Sequence, residues 1–115
     1  MPLSYSYRES INYEWPTWVY VYTEVQRGLN KDLADYIFKL NLKSSTRFYG
    51  KAVSAKEYYK DYDQAYFIER EEGEIEDLNL QKGEYVITFS GEFDLKDPDS
   101  IKLINSRVDR IVNEL

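Results

Sequence analysis

The stretch GEYVITFSGEF, residues 83–93, is the clearest strand pattern in the chain and decides its fold. Its side chains alternate between two faces, which is the spacing of a β-strand. One face carries Tyr85, Ile87, Phe89 and Phe93, and the other carries Glu84, Val86, Thr88, Ser90 and Glu92. Gly83 and Gly91 suit turns or bulges. We therefore expect a strand here, with the remaining elements covering or extending it.

Outward from this stretch, the same alternation predicts three more strands, over residues 18–25, 48–54 and 65–71. Tyr5 and Tyr7 alternate with polar residues, which is compatible with a short edge strand. We interpret residues 56–64 as a loop or a single helical turn. Residues 72–81 are acidic and contain Gly73, and we interpret them as a solvated loop.

Two helices are predicted from capping residues that precede apolar residues at helical spacing. Asn30 caps the first helix, whose apolar stripe consists of Leu29, Leu33, Tyr36, Ile37 and Leu40. Asp97, followed by Pro98, caps the second helix. Its stripe consists of Ile101, Ile104, Val108, Ile111 and Leu115.

This order of elements predicts an α+β fold, with an antiparallel sheet of four to five strands and two helices packed on one face. At 115 residues, the chain is expected to form a single domain, residues 1–115. The strand at 18–25 has two different faces. Its valines suit packing under a helix, whereas the face with Trp18, Tyr20, Tyr22 and Glu24 suits contact with a ligand, a partner or a second layer.

Composition excludes several kinds of chemistry. The chain has no cysteine, which rules out a disulfide framework and a thiolate metal site, and no histidine, which rules out Ser-His-Asp and Cys-His catalysis. The acidic runs at 69–72 and 74–77 lack a calcium-loop signature, so we predict no metal and no cofactor. A formal net charge of −6 argues against direct nucleic-acid binding.

Residues 1–10 lack the apolar core of a signal peptide, and no apolar run reaches the ~20 residues of a membrane helix. We therefore expect a cytoplasmic protein that does not associate with membranes. The compositional outlier is tyrosine, with twelve residues. Tyrosines fill cores and strands well, and they also suit an aromatic pocket or interface because an apolar ring carries a polar tip. Both interpretations stay open.

Three segments carry a resemblance: FYG at 48–50, YDQAYFIE at 62–69, and QKGEYVITFSG at 81–91, which a helix follows. Together they resemble the GyrI-like effector-binding domain, which has a Y-D segment leading into a strand, a G-x-Y strand ending in glycine, and then a helix. The family also begins with a strand-helix unit, as at 18–43, so the resemblance covers about residues 18–115. It departs after the last helix, where the family has further strands. We therefore expect the N-terminal segment or a second subunit to complete the pocket, and we predict a homo-oligomer.

The resemblance implies a small-molecule-binding module for hydrophobic or cationic ligands, with aromatic side chains and a buried glutamate. Glu69 follows the Y-D segment, and its carboxylate would pair with a cation, aided by cation–π contacts. Tyr85 matches the G-x-Y position, and the candidate aromatic wall is Trp18, Tyr20 and Tyr22. The alternative is that Glu69 lies on the wet face of its strand and that the aromatic residues are core.

Two other functions stay open. The chain could be an acidic interaction or inhibitor protein that binds a basic partner. It could also be a small hydrolase that uses Glu69, although nothing in the sequence fixes a catalytic geometry and we assign no catalytic residue.

Overall fold

The computed structural model of the chain describes residues 6–12, 20–48 and 50–114, with the backbone alone at 6–12, 20–22, 92–93 and 100. In these ranges the elements, in chain order, are β1 (Ser6–Asn12), β2 (Tyr20–Arg27), α1 (Lys31–Phe48), β3 (Lys51–Ser54), β4 (Gln64–Glu71), β5 (Glu74–Lys82), β6 (Tyr85–Asp94) and α2 (Pro98–Glu114). Neither of these helices combines the length and the hydropathy that crossing a membrane requires.

All the described strands join one antiparallel sheet in the order β1-β2-β6-β5-β4-β3. The strand predicted at 83–93 is β6, which lies inside the sheet between β2 and β5. The predicted α+β class and antiparallel sheet are confirmed, with six strands in the described part of the chain instead of four or five. The predicted edge strand near Tyr7 corresponds to β1, while Tyr5 lies outside the described residues.

The prediction of a solvated loop over 72–81 is wrong. Residues Glu74–Lys82 form β5, which pairs with β4 on one side and β6 on the other. Glu71 pairs with Glu74, so a two-residue turn containing Gly73 at a φ of 81° joins β4 to β5. The buried residues of β5 are Ile75, Asp77, Leu78, Asn79, Leu80 and Gln81. Half of these residues are polar, and this polar composition is why the sequence predicts a loop instead of a strand.

The two helices pack on opposite faces of the sheet, so the prediction that both cover one face is wrong. Val86 of β6 belongs to the same core cluster as Phe38 of α1. The next residue, Ile87, belongs to the same cluster as Ile104 of α2. Because successive residues of a strand point to opposite faces, α1 and α2 cover different sides of the sheet. The apolar core lies mainly under α2, and a smaller cluster lies under the first half of α1.

Helix α1 turns most of its predicted apolar stripe away from the sheet. Its buried residues are Ala34, Phe38 and Ser45. Four residues of the stripe remain exposed: Leu29 at 55%, Leu33 at 37%, Tyr36 at 61% and Leu40 at 49%. Ile37 is half-buried and packs against the cluster around Phe38. The stripe predicted as the core-facing side of α1 is therefore largely a surface feature.

The two predicted helix caps are confirmed. The side-chain Oδ1 of Asn30 accepts a hydrogen bond of 2.9 Å from the backbone N–H of Leu33. The Oδ1 of Asp97 accepts one of 3.0 Å from the N–H of Asp99. Helix α1 runs to Phe48, beyond the predicted end at 42–46, and β3 accordingly begins at Lys51.

Two tyrosines of the segment between β3 and β4 belong to the core. Tyr59 and Tyr62 are buried with Phe67 beneath α2, and the Tyr59 hydroxyl donates a 2.7 Å hydrogen bond to Oδ1 of Asn105. Burial raises the pKa of Tyr62 to about 12 and also raises that of Tyr59. Both phenols therefore stay neutral near pH 7, and their contribution here is packing and hydrogen bonding.

Candidate functional site

A layer of polar side chains separates the second half of α1 from the sheet. Two rows of residues that are neighbours across the strands form its floor. The first row comprises Glu24, Thr88 and Asn79, and the second comprises Ser90 and Asp77. The helix contributes Asn41, Ser44 and Ser45 from above. A surface between a helix and a sheet is ordinarily apolar, so this polar layer indicates a function other than core packing.

Asp77 is the most unusual residue of the layer. Its carboxylate is buried, with 5% of the residue exposed, in the middle of the central strand β5. The hydroxyls of Ser45 and Ser90 donate hydrogen bonds to it, which favours the charged form. Burial outweighs these hydrogen bonds, so the pKa of Asp77 is raised above its usual value. A displaced pKa in a cleft is typical of residues that bind or react.

A pocket of about 190 Å³ opens beside Asp77, between α1 and the sheet. Its described lining residues are Glu24, Asn41, Ser44, Ser45, Asp77, Thr88 and Ser90. All of these are polar, two are carboxylates, and none is a lysine or an arginine. The described walls therefore present two carboxylates and several hydrogen-bonding groups.

Hydrogen bonds among neighbouring residues hold the pocket walls in place. Asn41 donates from Nδ2 to Oε1 of Gln26 at 2.7 Å, which ties α1 to β2. Thr88 donates from Oγ1 to Oδ1 of Asn79 at 3.4 Å. The Nδ2 of Asn79 is buried and has no hydrogen-bond partner within the described part of the chain. A buried donor of this kind calls for a water or a ligand nearby.

A second polar network lies under the first half of α1 and connects the helix to the sheet. Gln64 donates from Nε2 to Oδ1 of Asp35 and to Oε1 of Gln81, each at 2.7 Å. Gln81 in turn donates to the carbonyl of Gly83 at 3.3 Å. These groups are hydrogen-bond partners of one another, so we interpret this network as structural. The pocket beside Asp77 is therefore the candidate site.

Glu69 and Tyr85 do not meet at one site. Glu69 lies opposite Ile75, which lies opposite Phe93. Tyr85 is eight positions before Phe93 on the same strand, so about 26 Å of strand separates the two ends. Tyr20 and Tyr22 lie in β2, and Tyr22 is opposite Ser90, but their side chains are outside the described atoms. Trp18 lies outside the described residues altogether.

The surroundings of Glu69 and Tyr85 differ from an aromatic cage. The side chain of Glu69 is 15% exposed and its Oε1 lies 4.0 Å from Nζ of Lys51 on β3. Tyr85 is half-buried and lines an open, largely apolar hollow of about 330 Å³ with Val112 of α2. The guanidinium of Arg27 lies 5.8 Å from its ring centre. In the hollow, the carboxylate of Glu84 is already paired with Arg27 at 2.8 Å.

Sequence reasoning missed Asp77, Ser45 and Ser90 as site residues. The sequence pattern predicts a loop at Asp77, and no recognisable sequence motif surrounds Ser45 or Ser90. One usable signal was present: in Leu78-Asn79-Leu80-Gln81, apolar and amide residues alternate with the period of a strand. Taken as a strand, that segment places an acidic and amide row on one face.

The pKa of Asp63 moves in the opposite direction from that of Asp77. Its Oδ2 accepts a 2.6 Å hydrogen bond from the N–H of Gly83, and its Oδ1 lies 3.1 Å from Nζ of Lys31. These contacts, led by the Gly83 hydrogen bond, lower the pKa of Asp63. The residue joins the turn before β6 to the start of β4 and to the first turn of α1, so its role is structural.

We expect Asp63→Asn to lower the free energy of unfolding near pH 7 by about 1 kcal/mol, since this partly exposed contact is weaker than a buried charged hydrogen bond. A lowered folded-state pKa stabilises the fold above the unfolded-state value of about 3.9, and this contribution is lost as pH falls through the folded-state pKa. Urea unfolding at several pH values measures it. The gap between the two proteins should close at strongly acidic pH, and a constant gap would contradict the assignment.

Comparison of the chain with protein-family models, with curated proteins and with solved structures finds no match in any of the three. The resemblance to the GyrI-like domain therefore stays a prediction. Fold and pocket together define an antiparallel α+β protein with a polar pocket that contains two carboxyl groups, between a helix and the sheet. Within the described residues, no group of three or more carboxylates is close enough to hold a metal ion.

Proposed function

We propose that this protein binds a small polar molecule carrying a cationic amine, in the pocket between α1 and the sheet. The observation that carries the proposal is the buried carboxylate of Asp77 in a pocket whose described walls are polar and contain no cation. An ammonium group beside this carboxylate would supply the missing charge partner. The proposal retains the cationic ligand predicted from the sequence and places it among hydroxyls and amides instead of aromatic rings.

The pocket chemistry supports a primary amine with further hydrogen-bonding groups. An ammonium group has three donors, which match the carboxylate oxygens of Asp77 and the hydroxyl oxygen of Thr88. The hydroxyls of Ser44 and Ser45 and the amide of Asn41 can both donate and accept, so they suit a ligand hydroxyl or a second amine. At about 30 Å³ of liquid volume per water, about 190 Å³ corresponds to roughly six waters, which sets the size of the ligand.

The open apolar hollow beside Tyr85 supports a ligand less well. It has the larger volume, but its nearby carboxylate, Glu84, already has Arg27 as partner. Binding a cation there would require breaking that ion pair. In the pocket beside Asp77, the buried carboxylate accepts hydrogen bonds from the neutral hydroxyls of Ser45 and Ser90. It therefore attracts an incoming ammonium group more strongly than Glu84 does.

Calorimetric titration of the full chain with ethylamine, ethanolamine and putrescine tests the proposal. Glycerol and acetate serve as an uncharged and an anionic control. We expect the amines to bind, and those with a second polar group to bind more tightly. Equal binding by glycerol, or no binding by any amine, would contradict the proposal.

We expect amine affinity to rise with pH through the folded-state pKa of Asp77. The ammonium group prefers the charged carboxylate, and below that raised pKa the carboxyl group is protonated and neutral. Amine binding should therefore release a proton in this pH range, which titration in buffers of different ionisation enthalpy measures. An affinity for putrescine that is flat across the acidic range would argue that Asp77 does not contact the amine.

A further inference from the structure

We propose that the exposed face of α1 pairs with α1 of a second copy of this chain, in an antiparallel dimer. The face consists of Leu33, Tyr36 and Leu40, and Leu29, which precedes the N-cap Asn30, extends it. We call these four residues the outer stripe. Its members are 37% to 61% exposed. This inference uses none of the residues that line the pocket and is independent of the proposed ligand.

The spacing of the outer stripe is that of a helix-pairing seam. Its helical members, Leu33, Tyr36 and Leu40, are separated by three and four residues, which are the two spacings between apolar positions in a heptad repeat. Phe38, which packs towards the sheet, is two positions from both Tyr36 and Leu40 and therefore lies about 200° around the helix from each. The stripe is thus a contiguous apolar surface that points away from the rest of the described fold. Single exposed apolar residues are ordinary, but a contiguous apolar surface marks a contact site.

The charges beside the outer stripe indicate that its partner is a second copy of this chain. Asp32 and Lys39 lie along the same edge of the stripe, seven residues apart, and both are exposed. In an antiparallel pair, Leu33 of one copy layers with Tyr36 of the other, and this register places Asp32 beside the partner's Lys39. The symmetric contact repeats the pairing on the other side, so the interface has two pairs of opposite charge.

The longer-range charges favour the same orientation. The first turn of α1 carries both Lys31 and Asp32, whereas its last two turns carry the basic residues Lys43 and Arg47. Antiparallel pairing keeps the basic last turns of the two helices apart and opposes the two helix dipoles. Parallel pairing would place the basic last turns side by side. Lys39 also has Asp35 of its own helix at 3.1 Å, a contact that the pairing extends without breaking.

Sedimentation velocity of the full chain over a wide concentration range tests the inference. We expect a weak, concentration-dependent dimer, because a single helix pair is smaller than a standard protein interface. Leu40→Lys should shift the chain to monomer. Phe48→Lys is the matched control, since Phe48 is 68% exposed on the same helix but off the stripe, and it should leave the dimer intact. Circular dichroism checks that both variants are folded.

Charge reversal distinguishes the antiparallel pair from other associations. Asp32→Lys and Lys39→Asp should each weaken self-association several-fold, because each places like charges in contact at both pairs. An equimolar mixture of the two variants should recover dimerisation, since every contact between them again joins opposite charges. A wild-type chain that is monomeric at all concentrations would overturn the inference, and so would a mixture that associates no better than either variant alone.

Discussion

Replacing Asp77 with asparagine is expected to weaken amine binding about tenfold to a hundredfold, the range for losing one charged hydrogen-bond partner. The same change should leave the free energy of unfolding unchanged or raise it. The raised folded-state pKa means that burial penalises the charged form of Asp77, and this penalty is present at pH values above its unfolded-state pKa. Asparagine is nearly the same size and carries no charge, so the penalty disappears while a polar group remains for Ser45 and Ser90.

This combination separates a binding residue from a structural one. Calorimetry with putrescine measures the affinity, and urea unfolding of the same samples measures the stability. Asp61→Asn is the matched control, because Asp61 is exposed and lies outside the pocket, and we expect it to change neither quantity. A loss of several kcal/mol in the Asp77→Asn variant, with amine binding intact, would show that the carboxylate serves folding instead.

The second large effect is expected at Phe38. Phe38→Ala should lower the free energy of unfolding by about 3–5 kcal/mol, the usual range for removing a fully buried aromatic ring. The ring is the largest member of the small cluster beneath α1, and its centre lies 6.2 Å from that of Tyr66. Deleting it leaves a cavity that the surrounding polar networks cannot close.

Phe48 provides an internal comparison for Phe38. The two residues are of the same type and lie on the same helix, but Phe48 is 68% exposed. We expect Phe48→Ala to change the free energy of unfolding by less than about 1 kcal/mol. Chemical unfolding at low protein concentration measures both variants without a contribution from self-association. Equal losses at the two positions would contradict the described orientation of α1.

Apart from β5, the strands and the helix caps are predictable because their signals are local. The alternation in residues 83–93 identifies β6, and the capping oxygens of Asn30 and Asp97 identify the starts of both helices. Such signals depend on the backbone geometry of a few neighbouring residues. Tertiary packing has little influence on them, so the sequence carries them reliably.

The position of α1 was not predictable, because the sheet surface beneath it breaks the usual rule. The rule that an apolar stripe faces the core assumes that the core is apolar. Beneath the second half of α1 the sheet offers Asp77, Ser90 and Thr88, so the helix turns Ser45 and Asn41 towards it. This matching of polar surfaces depends on residues more than thirty positions apart, and a single sequence does not reveal it.

The same polar layer hides both β5 and the candidate site. With Asp77, Asn79 and Gln81 on one face, β5 has the composition of a loop although it pairs with a strand on each side. The aromatic and acidic residues that are recognisable in the sequence therefore lead to Glu69 and Tyr85 as predicted ligand-binding residues. The two lie at opposite ends of the strands. Asp77, the buried carboxylate of the candidate site, lies instead in the segment that the sequence predicts to be a solvated loop.

The most direct test of the account is a two-dimensional NMR titration of the full chain with putrescine. If the amine binds in the pocket beside Asp77, we expect saturable changes of the amide signals at Ser45, Asp77 and Thr88. These residues belong to three different elements and meet at the pocket. The signal of Tyr85, in the separate apolar hollow, should stay unchanged. Changes centred on Tyr85, or no saturable change at the pocket residues, would contradict the account.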